Sequence, residues 1–352
     1  MAYTTIDKPS DYFETLIWTG NGNTPRTLSG LDFQPDWIWG KRRDDAAGHN
    51  LIDAVRGFNA NSELASSTTG VEGSNAAETY GYLSAVTSDG FTVTAGSSDN
   101  AYWNNNTATY VAWNWLGANG TASNSNGSIT SSVSANTTAG FSIVSFTGTG
   151  SNATVGHGLS AVPKMIITKK RSSADNWYTY HASLGATKVV YLDLSTASET
   201  YSTNWNDTEP TSSVFSLGTA GTNSSSSTYI AYCFAEKKGY SKFGSYTGNG
   251  NADGTFIYTG FKPAFIMLKP TSTTGNWFIL DNKRSSFNVM DKYIRANLSN
   301  AEATFSMMDF VSNGVKIITS DSSINGSGVS YIYMAFAENP FVTSGGIPTT
   351  AR

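Results

Sequence analysis

Trp18-Thr19-Gly20-Asn21-Gly22, Phe146-Thr147-Gly148-Thr149-Gly150 and Tyr246-Thr247-Gly248-Asn249-Gly250 are one phrase, aromatic-Thr-Gly-polar-Gly, written three times. The offsets are 128 and 100 residues, and the same offsets carry Pro35 onto Pro163 and Pro263. Two residues after each proline comes a large apolar run: Trp37-Ile38-Trp39, Met165-Ile166-Ile167 and Phe265-Ile266-Met267. Asp53 falls onto His181 and Asp281, so the register holds over at least 35 residues. An internal repeat of this kind decides the architecture before any single residue is weighed.

Each copy closes on an aromatic, apolar segment: Tyr110-Val-Ala-Trp113-Asn-Trp115, Tyr229-Ile-Ala-Tyr232-Cys-Phe234 and Tyr331-Ile-Tyr-Met334-Ala-Phe336. The alternation of large with small or polar residues is the period of a β-strand. Gly-Asn-Gly, Ser88-Asp89-Gly90 and Ser312-Asn313-Gly314 punctuate short segments, and helical periodicity is weak throughout. The expected fold is therefore all-β: three tandem antiparallel β-sandwich modules, jelly-roll or lectin-like, at 12–116, 140–241 and 242–341. An N-terminal arm (1–11), a Gly/Ser/Asn/Thr-rich linker (117–139) and a C-terminal tail (342–352) complete the division. Trp113 and Trp115 in one strand imply that both sheet faces are covered there, between modules or between subunits.

In 352 residues, 39% are hydrophobic, 13% aromatic and only 14% charged, with a formal net charge of -4. Such a chain has the material for packed cores. It lacks the basic footprint that a phosphate backbone requires, so nucleic acid is not an expected partner. No run approaches the ~18 apolar residues of a membrane span, and Met1-Ala-Tyr-Thr-Thr-Ile-Asp-Lys-Pro lacks a signal-like core, which argues against membrane insertion and conventional secretion. The lone Cys233 lies in an apolar run and reads as a buried thiol.

Chemistry is harder to place. His49, His157 and His181 are the only histidines, no Gly-x-Ser-x-Gly precedes a helix, and zinc spacings are absent, so no catalytic residue, metal or cofactor is assigned. Asn249-x-Asn251-x-Asp253-Gly254 imitates the start of a calcium loop, but Gly260 stands where a bidentate Glu belongs, and a hairpin turn is the plainer reading. Asp44 with Asp45, Asp207 with Glu209, and Glu236 offer carboxylates for glycosidase chemistry without an organising motif. Trp177 and Trp277, each after an Asn, share a module position and read as inter-sheet tryptophans before sugar platforms. Sugar recognition needs flat aromatic faces beside planar amides and carboxylates. Tyr102 and Trp103 before Asn104-Asn-Asn, and Trp205 with Asp207, supply that mixture in loop-like sequence and are the ligand-binding candidates.

Thr4-Thr-Ile-Asp-Lys-Pro9 leading to Tyr12-Phe13, Ala139–Val144 through Val155–Leu159, and Tyr229–Glu236 followed by Ser241–Gly250 make the chain resemble uncharacterised tandem-repeat, β-rich virion proteins of marine bacteriophages. Tyr331–Glu338 and the final Ala351-Arg352 are similar too. The resemblance implies a phage structural or tail-fibre-like protein located in the virion, without catalytic residues to carry over. Other virion proteins are then the expected partners, a host-surface glycan the candidate ligand, and a homo-oligomer, a trimer by analogy, the expected assembly. A capsid decoration or head-fibre protein is the first alternative and a glycan depolymerase the second.

Overall fold

The repeated phrase ends the opening strand of each copy: Phe13–Thr19, Phe141–Thr147 and Ser241–Thr247. Its two glycines have separate causes. A Cβ on Gly20 would lie 1.9 Å from the Asn105 carbonyl oxygen, and one on Gly148 or Gly248 would lie 2.5 or 2.3 Å from that of Ser224 or Gly326. Gly22, Gly150 and Gly250 instead hold φ of +73°, +74° and +69°, a region that side chains disfavour.

In the computed structural model, which describes residues 3–349, the three opening strands enter sheets of the same order. Each pairs with the closing strand of its copy (Thr109–Trp115, Thr228–Ala235 or Ser330–Pro340). That strand pairs with the apolar strand (Trp37–Arg42, Pro163–Lys170 or Phe261–Pro270), which in turn pairs with a fourth (His49–Asp53, Trp177–His181 or Phe278–Asp281). All these pairings are antiparallel, and helix is confined to short turns such as Ser202–Trp205. The fold is all-β, built of sandwiched antiparallel sheets.

Both faces of each main sheet are buried, and they face different things. Outward residues pack beneath a second layer belonging to the same copy. Trp18, Ile38, Ile52 and Tyr110 meet Leu83, Phe91 and Val93 in the first, Ile166 and Tyr229 meet Phe215 and Leu217 in the second, and Ile266 and Tyr331 meet Met308 and Val315 in the third. Inward residues of all three copies form one cluster, including Phe13, Trp37, Trp115, Phe141, Phe234, Phe265 and Phe336. The registers explain the match: Trp115 lies opposite Phe13 and Trp37, Phe234 opposite Phe141 and Met165, and Phe336 opposite Ser241 and Phe265. Trp113 and Trp115 are thus covered by other copies within the chain.

Within residues 117–139, expected as a linker, the stretch from Ala122 to Asn136 is instead part of the second copy's sheet. Ser131–Asn136 pairs with Phe141–Thr147 and with Ala122–Asn124, and Ile129 and Val133 join that copy's core. Backbone bonds carry the pairing, so the polar-looking Ser-Ser-Val-Ser-Ala-Asn can extend the sheet, with Ala122–Asn124 as its edge strand. The terminal segments are tied down as well. Ile6 is buried in the shared core, the Tyr3 hydroxyl donates to the Gly260 carbonyl at 2.6 Å, and Asp7 accepts from the Ser344 amide at 2.6 Å. Ala351-Arg352 lies outside the described residues.

Candidate functional site

The structure separates the four ligand-binding candidates, and it overturns two of them. Trp103 is fully buried in the first copy's core, stacked at 6.4 Å on Trp18, its indole N–H donating to Glu63 Oε1 at 3.2 Å. Trp205 is buried in the second copy's core, edge-on to Tyr180 at 6.0 Å. Neither ring has a face for a sugar. Tyr102 is half-buried against Tyr80, and Asp207 is exposed just past the helix that buries Trp205. The indoles went inside because each loop also closes an end of its sandwich, and a large aromatic gains most there.

Other polar residues singled out in the sequence join the copies. The Asp53 carboxylate accepts from the Tyr232 hydroxyl at 2.8 Å, and Asp281 accepts from the Trp113 indole at 2.9 Å. His181, at the same position, donates from Nε2 to the Tyr333 carbonyl at 3.2 Å. Copy one thus bonds to two, two to three and three to one. A second ring runs the other way: His49 to the Arg295 and Leu298 carbonyls, Trp177 to Ala65, and Trp277 to Tyr191. Trp177 and Trp277 are therefore clasps between copies, a role that only the tertiary structure reveals.

Sequence reading passed over a third repeated position, Lys41, Lys169 and Lys269, although the same offsets align it. All three are buried, and burial pushes each ammonium down to about 8. Backbone carbonyls ring them: Lys269 Nζ donates to Thr196 and Gly275 at 2.8 Å, and Lys169 Nζ to Thr69 of the first copy at 2.9 Å. A chain of carbonyl acceptors satisfies a buried ammonium without a carboxylate. Cys233 is likewise buried, and its thiol is raised far from reactivity by desolvation.

The histidines are held neutral. Burial pushes His49 down to about 3 and His181 to about 4. Their Nδ1 atoms accept N–H bonds, from the Trp39 indole at 2.8 Å and the Ser183 amide at 3.2 Å, so a second proton has nowhere to go. Glu63 is the converse, a buried carboxyl raised by desolvation to about 8. The signs follow from which state holds more protons. A depressed histidine stabilises fully above its unfolded value of 6.5, and that contribution is lost as pH falls toward 4 for His181 and toward 3 for His49. Glu63 stabilises below its unfolded value of 4.5 and loses that as pH rises toward 8. Between pH 6.5 and 5 the unfolding free energy from urea titration should therefore fall less steeply in His181→Gln, by at most about 1.4 kcal/mol per pH unit, and more steeply in Glu63→Gln. Parallel slopes in all three proteins would refute the assignment.

The calcium-like loop is closed by a side-chain amide. Asn325 Nδ2 donates to Asn249 Oδ1 at 2.9 Å and to the Asn251 carbonyl at 2.8 Å, while its Oδ1 accepts from the Asn249 amide. Asn104 and Asn223 do the same for the turns at Asn21 and Thr149. Asn249 Oδ1 already accepts two N–H bonds and Asp253 is paired with Lys316 at 2.5 Å, and the motif is a turn lock repeated in each copy.

What stands outside the repeat is a cleft of about 780 Å³ on the third copy, between the loop after Asp281 and the ends of the apolar and closing strands. Its rim carries Phe287, at 81% the most exposed large apolar side chain among the described residues. Asn282, Lys283, Asn288, Asn339 and the Lys262–Glu338 ion pair, 2.8 Å long, are among the residues that also line it. In the first two copies this loop turns at Gly57 and Gly185, which have positive φ. The third has Ser285 there, and its hydroxyl donates to Asp291 at 2.9 Å. On the other side of Phe287, the Asn288 amide brackets Phe310, donating to its carbonyl at 3.0 Å and accepting from its N–H at 2.9 Å. The chain that carries the exposed ring is anchored on both sides of it.

No helix among the described residues is long and apolar enough to cross a membrane. None of the curated proteins matches the chain. A family model matches residues 8–340, and since this covers nearly the whole sequence and all three copies of the repeat, the chain belongs to the family described as a domain of unknown function (DUF7483).

Proposed function

We propose that the protein is a non-enzymatic structural component of a phage particle, exposed at its surface as a tail fibre or receptor-binding appendage. The observation that supports this reading is the use made of its polar chemistry. Histidines, lysines, tryptophans and carboxylates at the repeated positions clasp the three copies to one another and around one aromatic core. A body built so suits mechanical and adhesive duty, and its low-charge, Ser/Thr/Asn-rich exterior suits life outside a cell.

A capsid-decoration role is the second reading. One observation favours it: three equivalent sheets closing in a ring give a body with three related outer faces, a shape that fits a threefold position of a shell. Electron cryo-microscopy of intact particles separates the two. A three-lobed density at the tail periphery is the expected result, the same density on the capsid lattice makes the protein a decoration, and its absence from purified particles by mass spectrometry overturns both. Depolymerase activity is tested by release of reducing ends from host polysaccharide, expected to be nil for the wild type. Release that is abolished by Asp207→Asn or Glu209→Gln would replace the proposal with an enzyme.

A further inference from the structure

We infer that the cleft of the third copy is a saccharide-binding site, with Phe287 as the stacking platform for the C–H face of a sugar ring. A phenyl ring left 81% exposed wastes apolar area that folding would otherwise bury. On a slack loop it could fold back. Here Ser285 and Asn288 fix the chain on either side of it, so the backbone that carries the ring is anchored at the rim of the cleft. That pre-organisation removes an ordering cost from binding.

The remainder of the cleft fits hydroxyl groups better than an apolar ligand. Planar amides of Asn282 and Asn339 offer donors and acceptors at fixed angles, the Lys262–Glu338 pair offers one of each with no net charge, and the Lys283 ammonium on the same lining is paired with Glu14 at 3.2 Å. A neutral pyranose presents the same mixture, an apolar face and a polar rim. A strongly anionic ligand would meet Glu338, and an aliphatic one would leave the amides unpaired.

Repetition argues in the same direction. Features present in every copy build the body, as the clasps and turn locks show, whereas an exposed ring on this loop belongs to the third copy: the first copy's Phe58-Asn59 packs its phenyl ring against its own core, and the second has no aromatic there. The inference goes beyond the location of the protein on a particle, and the two fail separately, because binding is measured on the isolated chain.

The experiment is a titration of the full chain, with its phenylalanine rings isotopically labelled, against the methyl glycosides of glucose, galactose, mannose and N-acetylglucosamine and their short oligomers. The expected result is a saturable shift of the Phe287 resonance with at least one of these sugars. Binding should weaken about tenfold or more in Phe287→Ala and persist in Phe287→Trp. Because Phe287 is exposed, neither change should move the thermal midpoint. The inference is overturned if no sugar shifts the resonance, if Phe287→Ala binds as the wild type does, or if the ring shifts with protein concentration instead. The last result would make the ring a contact between copies of the chain.

Discussion

Trp115→Ala is expected to lower stability by about 3 to 5 kcal/mol and to destabilise all three copies together. The indole is fully buried where the copies converge, with ring centres 4.4 Å from Trp37, 4.9 Å from Phe13, 5.7 Å from Phe336, 6.0 Å from Phe265 and about 6.4 Å from Phe234. Rigid sheets can collapse only partly into the space it leaves, so the cavity cost adds to the lost transfer energy. The neighbours belong to three separate repeats, so no copy retains an intact inner face. Urea unfolding followed by far-ultraviolet circular dichroism and by tryptophan fluorescence should show one coincident transition in the wild type, shifted as a whole in the variant. Two or three separated transitions, with only the first sensitive to Trp115, would show that the copies stand independently and would refute the shared core as the main source of cohesion.

Arg284→Leu should cost a comparable 3 to 5 kcal/mol, and adding Asp281→His should recover at least half of it. Asp281 and Arg284 are fully buried, with Nε donating to Oδ2 at 2.6 Å and the Trp113 indole donating to the same carboxylate at 2.9 Å. Losing the guanidinium strands a buried carboxylate. Glu302, which Arg284 also touches, keeps Arg43 at 2.9 Å, so the damage is concentrated on Asp281. The second copy already carries the alternative, His181 and Leu184 in place of Asp and Arg. There the strand position occupied by Trp113 and Tyr232 holds Met334, which has no N–H or O–H to donate. Where the neighbouring copy lacks a donor, the charge pair is replaced by a neutral imidazole bonded to a backbone carbonyl. Denaturant midpoints of the two single variants and the double variant measure the coupling. Equal losses in Arg284→Leu and in the double variant would refute the equivalence of the three positions.

Much of this was legible from the repeat. Aromatic-Thr-Gly-polar-Gly located the opening strands and their turns, because one glycine answers to a close backbone approach and the other to a positive φ. The apolar runs after Pro35, Pro163 and Pro263 located the strands beside the closing segments. The segment 117–139 misled because composition reports side chains, whereas a strand such as Ser-Ser-Val-Ser-Ala-Asn is held by backbone bonds to its two neighbours. The aromatic loop candidates misled for a related reason. Trp103 and Phe287 look alike as loop aromatics, yet one is fully buried and the other is the most exposed large apolar residue described.

By itself, the sequence determined the all-β character, the repeat and its register, and the strands whose apolar faces had to be buried. These follow from local rules of period, turn chemistry and backbone sterics. The tertiary structure alone decided that the three inner faces share one core, that Asp53, His181, Asp281, Trp177 and Trp277 clasp neighbouring copies, and which aromatics were left for a ligand. The clasps join residues 86 to 249 positions apart. A two-residue period says that a side chain faces one side of its sheet, but only the packing of the other copies says what lies there.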